Sequence, residues 1–369
     1  MLADFGAEVL KVERPGSGDD TRSWGPPWRD RGDRPEGERR EATYFASANR
    51  NKKSVAVDIS TVQGQDTVRR LTATADVMVE NFKVGDLARY KLDYETLRAI
   101  NPRLIYCSIT GYGQTGPYAD RPGYDLVFQG EAGLMSVTGE RDELPGGGPQ
   151  KVGVAVSDLV TGLYACNAVL AALQHRNRTG EGQAIDVSLF DCTLAIGANL
   201  AFNHVAKGTQ PQRYGNAHPT IVPYQVFSTA DGHIIVAVGN DSQWQRFCTA
   251  IVRPDLATAP RYLHGPDRVA NRDSLVAEVA RTLATGKSAH WLERLDHLDV
   301  PHGGINGYAE AFAHPQALHR QMRVDVPADF GSEAGVANPI KFSASPIQYR
   351  RAAPSLGADT DEVLKRLSP

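Results

Sequence analysis

At 369 residues the chain is too long for one small core, so two domains, or one large α/β domain with a second lobe, are expected. Charged residues make up 22% and the formal net charge is −3, which excludes a global field drawing the protein to nucleic acid or to an acidic membrane surface. Four scattered cysteines (Cys107, Cys166, Cys192, Cys248) lack CxxC or metal spacing and read as buried thiols in a reducing compartment. The longest apolar stretch, 159–173, contains Thr161 and Asn167 and reads as too short to span a bilayer. Residues 1–13 carry Asp4, Glu8 and Glu13 with no cleavage pattern, so the expectation is a cytoplasmic protein without a membrane partner.

The chain opens on MLADFG, half a helix that leads into the strand AEVLKVE (7–13). A βα unit should place a strand and a Gly-rich turn before that helix, so the numbering is expected to start at an internal methionine, with the first strand missing. Residues 29–41 are charged, carry Gly and Pro, and predict an exposed loop. SVAVDI (54–59), DVMVEN (76–81) and LIYCSI (104–109) have the Val/Ile content and length of strands, and 61–75 and 92–100 carry helical spacing between them. This alternation predicts a Rossmann-like parallel sheet.

GERDELPGGGP (139–149) is a loop whose glycines allow mobility. Val152, Val154 and Val156 alternate like a strand and lead into Asp158, followed by an apolar helix over 159–173. A strand at 184–190 and an apolar helix to about Val205 close the first lobe, and 207–219 reads as a connection. A smaller α+β lobe follows, with a strand at 233–239 and helices near 242–251, 268–285 and 287–297. The expected domains are therefore 1–206, a linker and small domain over 207–310, and a return to the large domain over 311–369.

Asp158 is a lone carboxylate in an apolar run, and undersolvated charge is costly unless something holds it. It reads either as the N-cap of the following helix or as a reactive group held at that helix N-terminus. Gly111, Gly113 and Gly116 form a GxGxxG, but Pro117 and a continuing loop follow where the dinucleotide fingerprint needs a helix. His218 reads as a base or as a structural hydrogen-bonding group. No spacing suggests a metal site or a serine-hydrolase elbow. Basic residues gather in the first third, among them Lys11, Arg14, Lys52, Lys53 and Lys83. Those near strand ends, together with Phe82, would suit a phosphate-bearing ligand with a flat base.

Several stretches in order, LADFGAEVLKVERPGSGDDTRSWGPP (2–27), YFASANRNKKSVAVD (44–58), residues 76–118, RPGYDLVFQGEAGLMSVTG (121–139), VGVAVSDLVTGLYA (152–165) and residues 215–240, resemble the family III CoA-transferases. Among members the chain is most similar to the succinyl-CoA–glutarate type. The resemblance implies an α/β fold with a Rossmann-like CoA-binding domain and an interlocked homodimer, with connectors around 207–219 and 306–320. It implies CoA and acyl-CoA as substrates, with no permanently bound cofactor. It places the catalytic nucleophile on Asp158, the CoA contacts on Arg14, Asn81, Phe82 and Arg89, and the substrate pocket on Trp24, Tyr124 and Asp125. Gly146 to Gly148, or Gly239, would approach the thioester oxyanion. Arg22, Arg50 and Arg121 are candidates to read a dicarboxylate. The chain departs from some members at Pro122, where they carry lysine.

The same family includes α-methylacyl-CoA racemases, which carry histidine where this GYD motif has Tyr124. A phenol is a poor base at neutral pH, so CoA transfer is favoured over racemisation. A non-catalytic acyl-CoA binding protein is the other alternative.

Overall fold

The computed structural model describes residues 1–29 and 41–367. By internal packing it divides into two units. The first comprises Met1–Phe128, Ser157–Cys192 and Ala311–Pro369, and the second Gln129–Val156 and Thr193–Glu310. The second unit thus takes in 129–156 and starts again at Thr193, not at 207 as the sequence suggested.

In the first unit the Val/Ile-rich runs form β1 (Val9–Glu13), β2 (Lys52–Ala56), β3 (Val77–Glu80), β4 (Ile105–Thr110) and β5 (Ala184–Ser188). All pairings among them are parallel, but they form two separate sheets, β1–β2 and β3–β4–β5, where one continuous sheet was expected. Helices α1 (Thr43–Asn49), α2 (Val62–Thr74) and α3 (Tyr94–Ile100) connect them. Thr61 caps α2 through the Gly64 N–H, and Asp93 caps α3 through the Thr96 N–H. One core gathers Val55, Val57, Val68, Leu87, Leu92, Leu97, Leu104 and Tyr106. Burying each such aliphatic side chain contributes roughly 1.5–3 kcal/mol.

Next come α4 (Asp125–Glu131), α5 (Leu134–Val137) and α6 (Val156–Thr179). The run 152–155 forms no strand, and α6 starts at Val156 and continues to Thr179, six residues past the expected end. At 24 residues, α6 has the length and apolar composition to cross a bilayer, contrary to the sequence reading. Its buried stripe, Ser157, Thr161, Ala165, Cys166, Val169, Ala172 and Arg176, follows the helical repeat. Ala165 and Val169 pack with Cys107 and Val187 of β4 and β5, so α6 serves the first unit as a core helix.

The second unit holds an antiparallel sheet of β6 (Tyr224–Ser228), β7 (His233–Ala237) and β8 (His302–Gly304). Helices Asp241–Ala250, Arg272–Leu283 and Ser288–His297 surround a core with Trp244, Phe247, Tyr262 and Leu275 fully buried. In the loop expected to be mobile, the Gly147 N–H is held by Leu144, the Gly148 N–H by Glu140, and the Gln150 N–H by Thr138. A Cβ at Gly147 would lie 2.3 Å from the Arg141 carbonyl oxygen, so this loop is a packed turn. After Ala311 the chain adds to the first unit the antiparallel hairpin β9 (Arg323–Ala328) and β10 (Gly331–Val336).

The charged loop expected over 29–41 lies outside the described residues except at its ends. Both ends differ from the expectation of exposure. Arg29 and Glu41 are buried and paired at 2.8 Å.

Candidate active site

Asp158 occupies the third residue of α6, so it is not the N-cap. Its carboxylate accepts no hydrogen bond and pairs with no cation among the described residues. It remains exposed within this single chain. Local crowding, and then the charge of Asp125, push its carboxyl pKa above the ordinary range.

The cap of α6 comes from 32 residues upstream. The Ser157 N–H donates to Asp125 Oδ1 at 2.8 Å, and the Asp158 N–H to the same oxygen at 3.4 Å. Residue 155, just before the helix, is alanine and offers no side-chain acceptor. Asp125 in turn stands on a well-fixed turn. Phe128 is fully buried, and a Cβ at Gly123 would lie 2.3 Å from its ring. Tyr112 packs edge-on against Phe128 at 5.2 Å and against Tyr118 at 5.6 Å. The Gly113 N–H donates to Thr110 Oγ1, and the Gln114 N–H to Asp186. The GxGxxG therefore opens a packed turn after β4, with no helix at its third glycine.

Tyr44, on α1, had no role assigned from sequence. Its phenol pKa is raised by burial and then by the charges of Asp158 and Asp125, so both carboxylates lie within electrostatic reach of it. Trp24 packs edge-on against Tyr44 at 5.2 Å. Trp24 and Tyr44 thus pack together within electrostatic reach of Asp125 and Asp158. Tyr124 precedes Asp125 and is 74% exposed.

Arg14 follows β1, Asn81 and Phe82 follow β3, and Arg89 lies in the short helix Leu87–Tyr90; all four are exposed. The Phe82 N–H donates to Glu80, and Arg89 pairs with Asp86 at 2.7 Å. Among the other basic groups of the first third, Lys11, Lys52 and Lys53 are committed elsewhere. Lys11 pairs with Asp19 at 2.6 Å, and Lys53 with Glu8 and Glu362. Lys52 is pushed down to about 8, first by burial and then by Lys11.

Two of the three arginines considered for a dicarboxylate are also committed. Arg22 is buried between Glu13 and Glu41. Arg50 pairs with Asp4 and stacks over Tyr349. Arg121 is exposed, lies 3.7 Å above the Tyr118 ring and makes no ion pair among the described residues. In the second unit His218 Nδ1 accepts the Thr220 N–H, a local structural bond. The Gly239 N–H is already taken by Gln243, leaving Gly146 as the one of the four named glycines whose N–H has no partner among the described residues. No group of three or more His, Cys, Asp or Glu among the described residues is placed to hold a metal.

A sequence model of CoA-transferase family III matches residues 1–360. The chain belongs to CoA-transferase family III. This CoA-transferase is 48% identical over 373 residues to the succinate–glutarate CoA-transferase of Agrobacterium fabrum, covering 100% of this chain and 90% of that one. It is 40% identical over 367 residues to human succinyl-CoA:glutarate CoA-transferase, covering 99% and 81%. The crystal structure of a CAIB/BAIF family protein from Brucella suis superposes with a TM-score of 0.86 at 46% identity, covering 100% of this CoA-transferase and 93% of that chain. Membership makes the protein an enzyme whose substrates are CoA thioesters.

Proposed function

We propose that this CoA-transferase moves CoA from succinyl-CoA to glutarate through covalent intermediates on Asp158. The observation that carries the mechanism is an aspartate on the first turn of a long helix whose carboxylate has no hydrogen bond or cation of its own among the described residues. A carboxylate so placed is a ready nucleophile. The substrate pair is supported by two relatives, at 48% and 40% identity, that carry it in their names.

An Asp158 oxygen attacks the thioester carbonyl; the C–S bond breaks and CoA leaves as thiolate, giving a mixed anhydride. The thiolate attacks the aspartyl carbonyl and releases the donor acid, leaving an aspartyl thioester. The acceptor carboxylate displaces the thiolate to form a second anhydride. The thiolate then takes the acceptor acyl group and restores the carboxylate of Asp158. No net proton is consumed, and retention of the thiolate makes each recapture effectively intramolecular. In this reading Arg14, Asn81, Phe82 and Arg89 hold CoA, while Trp24, Tyr124 and Asp125 wall the acyl region.

Arg121 reads the far carboxylate of the dicarboxylate, since Arg22 and Arg50 already have carboxylate partners. Arg121→Ala is expected to raise KM for glutarate by about tenfold or more, the loss of one charged hydrogen-bonding partner. KM for succinyl-CoA should rise with it, because succinyl-CoA also carries a free carboxylate, while KM for a monocarboxylyl-CoA donor stays unchanged. Equal effects on both kinds of donor would reject the assignment.

The functional chain is a homodimer, interlocked as in the family it belongs to. Supporting this, Leu159, Leu163, Tyr164 and Leu170 of α6 are all exposed in the single chain. Light scattering should give twice the 40.0 kDa chain mass, and a stable monomer would count against the dimer. The four buried, unpaired cysteines support a reducing, cytoplasmic setting. The test of the reaction itself is a panel of carboxylic acids offered with succinyl-CoA. Glutarate should be among the best acceptors, and activity confined to monocarboxylates would reject the reading.

A further inference from the structure

We propose that Asp125 is a positioning residue: its carboxylate caps the open N-terminus of α6 and so fixes both the backbone and the electrostatic surroundings of Asp158. The inference rests on the reading of Asp158 as the nucleophile.

A helix leaves its first N–H groups without partners, and its own sequence usually supplies the cap. Here it cannot. Residue 155 is alanine, and the Ser157 Oγ is buried with no partner among the described residues. The acceptor is imported from the start of α4, where one oxygen of Asp125 takes the Ser157 N–H at 2.8 Å and the Asp158 N–H at 3.4 Å. Ser157 is fully buried, and the Thr161 hydroxyl bonds its carbonyl at 2.7 Å, so this turn is held on both sides. The far end of α6 is pinned as well, by Arg176 to Asp76 at 2.8 Å. Asp158 therefore stands on a turn whose backbone has little freedom.

The electrostatic consequence runs against the simple picture of a helix dipole calming a catalytic anion. The positive end of α6 is occupied by Asp125, and Asp158 is left beside a second negative charge. Among the described residues the charge of Asp125, at the start of α4, acts on Asp158, Asp158 in turn acts on Tyr44 of α1, and no cation pairs with Asp158. A neighbouring anion disfavours the charged form, so Asp158 becomes a stronger base and a stronger nucleophile.

The test separates cap from charge. Asp125→Asn keeps an oxygen that accepts the Ser157 N–H but removes the charge, whereas Asp125→Ala removes both. Each variant and the wild type is mixed with succinyl-CoA and hydroxylamine across pH 4.5–8. The hydroxamate on the peptide containing Asp158 is measured by mass spectrometry, beside the melting temperature. In Asp125→Asn the acid limb of trapping should move down by about half a pH unit or more, with a several-fold slower rate on the plateau and a nearly unchanged melting temperature. Asp125→Ala should show the same shift, a lower melting temperature and a further fall in rate. An acid limb that stays put in both variants, whatever the melting temperatures do, overturns the inference. Transfer by the wild type without any label on Asp158 would instead overturn the nucleophile reading, so the two failures are distinguishable.

Discussion

Asp158→Ala is expected to lower kcat/KM for CoA transfer by about 10⁴-fold or more, the scale of loss when a covalent nucleophile is removed. CoA binding should stay within a few-fold of wild type, since the residues proposed to hold CoA, Arg14, Asn81, Phe82 and Arg89, lie after other strands. The fold should survive as well. The Asp158 side chain bonds nothing among the described residues, and the cap of α6 is supplied by Asp125, so the stability change should be no more than about 0.5 kcal/mol. The pH dependence has a definite sign. The carboxyl pKa is raised, first by the water that local crowding displaces and then by Asp125, so the ionised form is lost on acidification at a higher pH than for an ordinary aspartate. A raised carboxyl pKa also means that Asp158 costs stability above its folded pKa, a cost relieved as pH falls through it. Single-turnover transfer against pH checks the acid limb, and isothermal titration of CoA into the alanine variant checks that binding is retained. Substantial transfer by Asp158→Ala would remove the covalent mechanism.

How much of this could be read from the chain alone depends on how far apart the interacting residues lie. The β1 to β5 segments were legible because Val/Ile runs with turn residues between them are local signals, and so were α2 and α3, though not their caps. The run 152–156 misled because alternating valines look like a strand. The Val152 N–H instead goes to the Gln129 side chain, and no neighbouring strand among the described residues pairs with the segment. Strands β6, β8, β9 and β10 were missed; β8 and β10 are short or glycine-bearing and owe their pairing to neighbouring strands that a local pattern does not reveal. Asp158 stood out as a lone carboxylate, but its cap could not be seen. Asp125 and Ser157 meet only after the chain has passed through 129–156. Tyr44 was invisible for the same reason, as the two carboxylates that act on it come from α4 and α6. Arg22 was misjudged because a sequence shows an arginine near a matched motif but not the two glutamates that claim it.

That arginine carries a large expected effect on stability. Arg22 makes a two-pronged contact with Glu13, at 2.8 Å from both Nε and Nη2, and reaches Glu41 at 2.6 Å and the Pro354 carbonyl at 3.2 Å. Its guanidinium lies 3.7 Å from the centre of the Phe45 ring. Glu41 passes the network to Arg29, which holds Glu333 on β10, so the chain start is tied to its return after Ala311. Removing one partner of a buried pair leaves the others uncompensated and costs roughly 3–5 kcal/mol. For a domain of this size Arg22→Ala should lower Tm by about 10 °C. Lysine should not rescue it, because a single ammonium cannot serve the fork.

Acid should narrow the deficit. In the wild type burial pushes the Glu13 pKa up, but Arg22 and Ser54 outweigh it and hold it below the usual value. Its contribution is therefore full above the ordinary carboxylate range and lost as pH falls through the folded value. In the variant burial acts with Arg22 gone, Glu13 takes up a proton more readily, and the Tm gap should be smaller at pH 5 than at pH 8. Calorimetry at both values decides this. An equal gap, or a loss below about 2 °C, would mean that the pair is not holding the fold. A raised KM for glutarate at unchanged Tm would return Arg22 to the substrate site.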